Sequence, residues 1–486
     1  MNPASGAAGN VVFVTNQLKT LFYIELAAKL REAGFSVAWI ATSRRWADAV
    51  RAAGAQEADI LDVSRLGPQW SKGLPPSKPE MDLLARVEQA GRFCVNNMMM
   101  MDRELSRKNP EVRLAYVAVL ASAMDTFLAG RCPDLLIGEP TWCIELLAGQ
   151  LGQLHGARMF YAHTLRLPSE RLGFIDTTGD EQFLVWRQPD EADRAAAQAT
   201  IEKQNAGKAK PSYMLKIASP FAWKPHWLNE AKLALGQGNA WDISVPPLHV
   251  RAGRRLKWAW NAFLTKRFVR FVRAPGQTGG SYIFITLHVQ PEASVDVWGA
   301  PFNNQTETIR ALARIVPAAT EILVKEHRAA VGCRSLAEYQ RLAAIPGVRL
   351  IHPDADTLGL MRGARLIASP SGTASLEAAV MGLPSVCFGR ISFGTALLRQ
   401  GFDPYSLTGT EFCALLEEAD AGKGSGAHAA RARQFMENAI ANSIPAIEGD
   451  PVTNPATGKA ANLEKLVAGF GVACGEIRRR RNSASA

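Results

Sequence analysis

Short apolar runs alternate with stretches of helical spacing twice along the chain. Residues 11–14 (Val-Val-Phe-Val) lead into Thr15-Asn16-Gln17, then Phe22, Leu26 and Leu30 recur at helix spacing up to Gly34, and a second apolar run follows at 37–40. A strand, a helix stopped by glycine and another strand predict a βαβ unit, the opening of a parallel sheet. The pattern returns as a helix over about 112–130, a strand over 134–137 ending in Gly138-Glu139-Pro140, a helix over about 141–155 and a strand over 158–163. From about 180 to 278 the alternation stops: a polar, helix-prone stretch (190–207) precedes one rich in Pro, Trp and basic residues. It resumes with strands at 281–287, 321–325, 348–351, 364–368 and 385–388, separated by helices near 305–315, 357–362 and 374–381 and followed by helices over 408–470.

This order predicts an α/β chain with two Rossmann-like domains facing across a cleft. The boundaries fall at 1–178 for the first domain, 179–278 for a helical, basic and aromatic linker region, 279–407 for the second domain, and 408–486 for C-terminal helices and a basic tail. Open α/β sheets bind ligands at the carboxyl ends of their strands, so the chemistry belongs in the loops that follow the strands.

Composition narrows the class. With 486 residues, 47% hydrophobic and 21% charged, the chain is neither disordered, collagenous nor a disulfide framework. Its seven cysteines are scattered without a C-x-x-C pair, which predicts reduced thiols and no zinc site. The start lacks the basic, apolar and cleavage segments of a secretory signal, and no run of about 18 apolar residues occurs. The expectation is a cytoplasmic protein, at most peripheral on the inner face of the membrane. The net charge of +10 is uneven, concentrating in 251–273 and in Arg478-Arg479-Arg480-Arg481. Such blocks seek an anionic surface or partner. In 251–273 the cations alternate with aromatics at helical spacing, as in a helix lying on an anionic membrane or holding an acidic glycan; a plain solvated face with a buried aromatic side is the other reading, and no nucleic-acid fold accompanies it.

Several loops carry candidate chemistry. Ser369-Pro370-Ser371-Gly372-Thr373-Ala374-Ser375-Leu376-Glu377 follows a strand and opens a helix. Small residues there let a phosphate approach the backbone, and Ser371, Thr373 and Ser375 supply hydroxyls. The same segment also reads as a capping box in which Glu377 reaches back to an N-cap hydroxyl. It is neither a Walker A loop nor a dinucleotide fingerprint. Lys325-Glu326-His327 ends another strand and offers counter-charge and a donor to a phosphodiester. His288-Val289-Gln290-Pro291-Glu292 ends a third and suits a polyhydroxylated ligand. In the first domain Glu139, Glu145, His163 and Arg166 lie at or near strand ends, with Glu139 and His163 as candidate general bases. Asp354-Ala355-Asp356 reads as a helix N-cap before Leu358, so phosphate charge is expected to be met by protein groups without an essential metal. Met98 to Met101 reads as packing.

The ordered set Leu287-His288-Val289-Gln290-Pro291-Glu292-Ala293-Ser294, Gln305, Val324-Lys325-Glu326-His327, Ser371-Gly372-Thr373-Ala374-Ser375-Leu376-Glu377-Ala378, Gly382-Leu383-Pro384 and Phe388-Gly389 resembles bacterial capsule polysaccharide biosynthesis proteins. That family includes transferases of the acidic sugar Kdo with the two-Rossmann GT-B glycosyltransferase fold. The resemblance is good over about 280–395, weaker over 130–178, and covers roughly half the chain. It implies a donor nucleotide-sugar, CMP-linked by preference and used as substrate with no cofactor, whose phosphate meets His327, Ser371, Gly372, Thr373 and Ser375. Glu377 would contact the ribose or hold the loop. His288, Gln290 and Lys325 complete the donor side, and Glu139, His163 and Glu292 are the catalytic candidates. The family usually has proline after that histidine; here Arg328 follows, which adds a cation near the phosphate. The expected activity is transfer of a sugar, Kdo or another acidic one, to a lipid-linked or polysaccharide acceptor. A sugar-nucleotide epimerase of the same fold and a non-catalytic glycan-binding or export scaffold are the alternatives.

Overall fold

The computed structural model describes residues 8–176, 183–207, 243, 244, 246–273, 281–452 and 454–485. The chain divides into two compact units: Met1–Gln188 with Pro220–Pro247 and Ala441–Ala486, and Pro189–Ser219 with Leu248–Ile440.

The first unit is built on a six-stranded sheet: β1 (Asn10–Val14), β2 (Ser36–Ala41), β3 (Ile60–Asp62), β4 (Leu135–Ile137), β5 (Arg158–Thr164) and β6 (Leu172–Asp176). Its order is β3-β2-β1-β4-β5-β6, parallel throughout except for the antiparallel pair β5–β6. Helices cover both faces, which is why the central strands read as unbroken apolar runs. The core gathers Phe13, Tyr23, Trp39 and Phe470, with Phe13 5.2 Å from Trp39 and 6.1 Å from Phe470 between ring centroids. Phe470 arrives from the far end of the chain: helix Ala460–Ser485 packs along helix Lys19–Glu32. The segment read from sequence as C-terminal helices and tail is thus divided, with residues from Ala441 onward in the first unit.

Two sequence expectations change here. Helix Pro110–Ala129 is long and apolar enough to cross a membrane by length and composition, although it carries Glu111, Arg113 and Asp125. Its buried side chains pack on helices Lys78–Ala90 and Cys143–Leu154, so it serves as a core helix. The four tail arginines, expected as an anion-seeking block, are each ion-paired within the unit. Arg478 lies 2.7 Å and Arg481 3.6 Å from Asp134, while Arg479 and Arg480 meet Glu476 at 2.6 and 2.7 Å.

The second unit repeats the architecture with β7 (Tyr282–Thr286), β8 (Glu321–Lys325), β9 (Val348–Ile351), β10 (Leu366–Ser369), β11 (Ser385–Cys387) and β12 (Arg399–Gln400). The order is β12-β11-β10-β7-β8-β9, all parallel. Helices Glu191–Asn205 and Leu248–Phe268, from the stretch read as a linker, belong to this unit, and the first packs against helix Thr373–Val380. The Pro- and Trp-rich residues 208–242 of that stretch lie outside the described residues.

Both sheets share one consequence of strand order. The chain leaves β1 to build β2 and β3 on one side, then returns to set β4 on the other; β7 and β10 stand in the same relation. At such a switch point the two loops diverge to opposite faces and leave a crevice beyond the strand ends. The architecture is therefore α/β with two Rossmann-like units, each carrying its own crevice at a known place.

Candidate functional site

In the second unit the switch point lies between the loop after β7, which carries His288, and the loop after β10, Pro370 to Gly372. The first loop is held by hydrogen bonds through the side chains of Gln305 and Gln290. His288 N donates to Gln305 Oε1 at 2.8 Å, while Gln305 Nε2 donates to His288 O at 3.3 Å and to Gln290 Oε1 at 3.0 Å. Gln290 Nε2 donates to Asp296 Oδ1 (2.9 Å) and Asn303 O (3.0 Å), so Gln290 shapes the loop. Glu292 N donates to Asp296 at 3.0 Å on the exposed side of the same loop.

The imidazole of His288 faces the other loop. A Cβ placed on Gly372 would stand 2.7 Å from both Cε1 and Nε2 of His288, a distance real Cβ atoms do not show, so glycine is what lets backbone and ring meet. The buried Nε2 has no hydrogen-bond partner among the described residues. Burial, with the neighbouring His327 and Arg334, pushes His288 down to about 3, which keeps the ring neutral at pH 7.

The serines behave differently from the sequence expectation. Ser375 Oγ is fully buried, donates to Val386 O at 3.0 Å and shares a 2.7 Å hydrogen bond with Ser369 Oγ, which accepts from Gly372 N at 2.9 Å. Ser371 Oγ donates to Ser294 O. These hydroxyls are turned inward and fix the loop, so Ser371 and Ser375 are corrected from phosphate donors to loop-holding groups. The capping-box reading also falls, because the N-cap of helix Thr373–Val380 is Gly372, which has no side chain to cap with. Gly372 and Thr373 remain at the helix start, with Glu377 half-buried one turn further on.

Lys325-Glu326-His327 divides in the same way. Lys325 Nζ donates to Pro353 O at 2.7 Å, anchoring the loop after β9. Glu326, 1% exposed, is the hub of a buried network: Arg334 Nη1 reaches its two oxygens at 2.6 and 2.7 Å and Tyr339 OH donates at 2.7 Å. Arg334 Nη2 also donates to His288 O at 2.5 Å, tying both loops to one guanidinium. His327 Nδ1 accepts from Ala329 N at 3.2 Å, which puts the proton of the neutral ring on Nε2 as a donor. Burial lowers the His327 imidazole and outweighs Glu326, which would raise it. Arg328 pairs with Asp354 at 2.8 Å, and Asp356 caps the next helix by accepting from Leu358 N at 3.1 Å, the role expected for it.

In the first unit the switch point lies between β1 and β4. Asn16, after β1, donates through Nδ2 to Thr141 Oγ1 (2.8 Å) and Glu145 Oε1 (3.4 Å), linking the two loops. A cavity here is lined by Thr15, Asn16, Gln17, Thr42, Asp102 and Trp142, among others. Glu145 is wholly buried and accepts from Trp142 N at 3.1 Å; desolvation pushes its carboxyl well up, so it caps the helix. Beside it stands a charged cluster. Lys19 Nζ lies 3.1 Å from Glu139 Oε2 and 2.7 Å from Glu448 Oε2, and His163 Nδ1 lies 2.7 Å from Glu448 Oε1. Tyr161 stacks on His163 at 4.4 Å, with Lys19 over its ring at 4.8 Å.

The protonation states follow from these contacts. Burial alone would raise the Glu448 carboxyl, but the Lys19 ammonium and the His163 hydrogen bond hold it at about 2. Burial alone would lower Lys19, but Glu139 and Glu448 keep it well above its ordinary value. Burial, then Arg166, lowers His163. A neutral His163 beside an ionised Glu448 must carry its proton on Nδ1, which leaves a lone pair on Nε2. That Nε2 is buried and has no hydrogen-bond partner among the described residues. Sequence reasoning found His163 and Glu139 but missed Lys19 and Glu448, which only the fold brings together: Glu448 is 285 residues from its histidine.

No protein-family model matches the chain, and no curated protein matches it in sequence. Solved structures that align with it include KpsC β-Kdo 2,4 transferase of Thermosulfurimonas dismutans, at 14% identity over 69% of this chain and 86% of that one, TM-score 0.30. The β-Kdo 2,7 transferase of the same KpsC aligns at 14% identity over 46% of this chain and 61% of that one, TM-score 0.26, so the chain spans about three fifths of it. The UDP-GlcNAc 2-epimerase of Neisseria meningitidis, bound to UDP-GlcNAc, aligns at 14% identity over 89% and 96%, TM-score 0.23.

Proposed function

We propose that this chain is a glycosyltransferase of capsule or surface polysaccharide assembly, moving a sugar of the acidic class that includes Kdo from a nucleotide donor to a lipid-linked or polysaccharide acceptor. The observation that carries the reading is His163, whose proton is held on Nδ1 by ionised Glu448 while Nε2 keeps an open lone pair. An acceptor hydroxyl is a poor nucleophile until such a base takes its proton, a contribution of about 10²–10⁴-fold. The proton passes to Nε2, the oxygen forms a bond to the anomeric carbon, and the bond from that carbon to the phosphate oxygen breaks with its electron pair leaving on the nucleotide.

Donor binding falls to the second unit. The neutral imidazole of His288, the Nε2–H of His327 and the helix start at Gly372–Thr373 offer the phosphate hydrogen bonds and a favourable helix dipole. The leaving charge is met by these groups without a metal, and the nucleotide-sugar is the only small molecule required. All seven cysteines are free thiols, which suits a cytoplasmic setting.

The test incubates the purified protein with CMP-, UDP- and GDP-sugars, with and without candidate acceptors, and analyses the nucleotides. Release of free nucleotide that depends on an acceptor supports transfer. An altered nucleotide-sugar formed without acceptor makes the chain an epimerase, and donor binding with no turnover on any acceptor makes it a binding scaffold; either result removes the proposal.

A further inference from the structure

The geometry points to a docking surface in the second unit: the outer face of helix Leu248–Phe268 lies on an anionic lipid bilayer. Its inner face is accounted for by packing. Asn261 and Thr265 are 7% and 1% exposed, Asn261 Nδ2 donates to Gly332 O at 3.2 Å, and Trp258 closes over Gly332. Opposite these, Leu256, Trp260 and Phe263 stand at i, i+4 and i+7, which is one stripe of the helix. They are 74%, 60% and 57% exposed, and the Trp260 and Phe263 rings stack on each other at 5.7 Å. An apolar ridge of three large side chains facing water is not what a monomeric surface ordinarily presents.

Charge identifies the occupant. Residues 251–273 hold eight lysines and arginines and no acidic residue. Lys257, Lys266 and Arg267 form no ion pair with any described residue, unlike the tail arginines, whose charge Asp134 and Glu476 already meet. Lys257 and Lys266 flank the ridge on opposite sides of the helix, and Arg267 continues its line at the C-terminal end. That is the layout of a helix lying in a membrane interface, with Leu and aromatic rings in the acyl boundary and cations at the phosphates. A nucleic-acid duplex, met through its phosphates, would call for the reverse, with cations on the outermost face. The inference stands apart from the transferase reading and is tested without reference to turnover.

The experiment sediments the full chain with vesicles of phosphatidylcholine alone and of phosphatidylcholine with phosphatidylglycerol, at low and high salt. The wild type is expected to bind only the anionic vesicles and to release them as salt rises. Two variants separate the components: Leu256→Ser with Trp260→Ser and Phe263→Ser removes the ridge, and Lys257→Glu with Lys266→Glu and Arg267→Glu reverses the flanks. Each should weaken vesicle binding by about tenfold or more while leaving the unfolding midpoint in place. If one variant fails to fold, the other still decides. Absence of wild-type binding to anionic vesicles, retention of binding in both folded variants, or a wild type that binds duplex DNA or acidic polysaccharide in preference to vesicles overturns the inference. So does a ridge variant whose main effect is to dissolve a dimer.

Discussion

Glu448 joins two charged groups of the first unit, fixing the tautomer of His163 and pairing with Lys19. Glu448→Gln should therefore lower transfer by roughly 10²-fold, the lower end of what a positioned base contributes, while leaving donor affinity unchanged. Rescue distinguishes positioning from a structural role: Glu448→Asp should recover part of the activity, and the pH profile of the Gln variant should move because an imidazole without its carboxylate is a weaker base. Two side chains also predict the acid limb of stability. His288 is lowered from 6.5 to about 3, so the unfolded chain binds more protons in that interval and stability falls as pH drops from 6.5 towards 3. Glu448 is lowered from 4.5 to about 2, so its contribution is present above 4.5 and is lost as pH falls towards 2. Thermal unfolding across pH checks both: His288→Gln should flatten the upper interval and Glu448→Gln the lower one.

Among the elements, the loop from Ser369 to Thr373 and the helix it opens separate two kinds of residue that look alike in sequence. Gly372 has φ −81°, so alanine would meet no backbone strain, yet its Cβ would strike the His288 ring. Gly372→Ala should weaken donor binding by about tenfold or more, the lower end for loss of one hydrogen bond to a charged group, and the displacement it forces on the packed His288 ring should also lower the unfolding midpoint. Ser375→Ala should lower stability alone: Val386 O loses a buried donor, a cost of about 1–3 kcal/mol read in denaturant unfolding, with donor affinity kept. The strand ends were legible because β1, β4, β7, β8, β10 and β11 are buried and read as continuous apolar runs, so a polar residue just beyond them stands out. His288, His327 and Gly372 stand just beyond β7, β8 and β10, whereas His163 lies within β5, near its end. The edge elements β3, β6 and β12 were not legible, because Ile-Leu-Asp, Leu-Gly-Phe-Ile-Asp and Arg-Gln carry too little apolar signal. Hydroxyl direction is equally invisible in sequence: Ser375 resembles a ligand until its bond to Val386 O is seen. Glu326, inside Lys-Glu-His, looked like part of a phosphate site and proved to be the partner of Arg334.

At the scale of the whole molecule the central claim is a division of labour, with donor contacts at the β7/β10 switch point and proton removal at the β1/β4 side around His163. The same sheet logic sets up both places, but the chemistry differs: the first holds neutral imidazoles beside a helix start, the second an ionised carboxylate behind an imidazole. Once the nucleotide-sugar panel has identified the donor, calorimetric titration of that donor into Gly372→Ala and His163→Gln, with transfer rates for the same two proteins, tests the claim most directly. The division predicts that Gly372→Ala loses donor affinity, whereas His163→Gln binds donor as the wild type does and loses transfer by about 10²–10⁴-fold. Loss of donor affinity in His163→Gln as severe as in Gly372→Ala, or full transfer by His163→Gln, would contradict it.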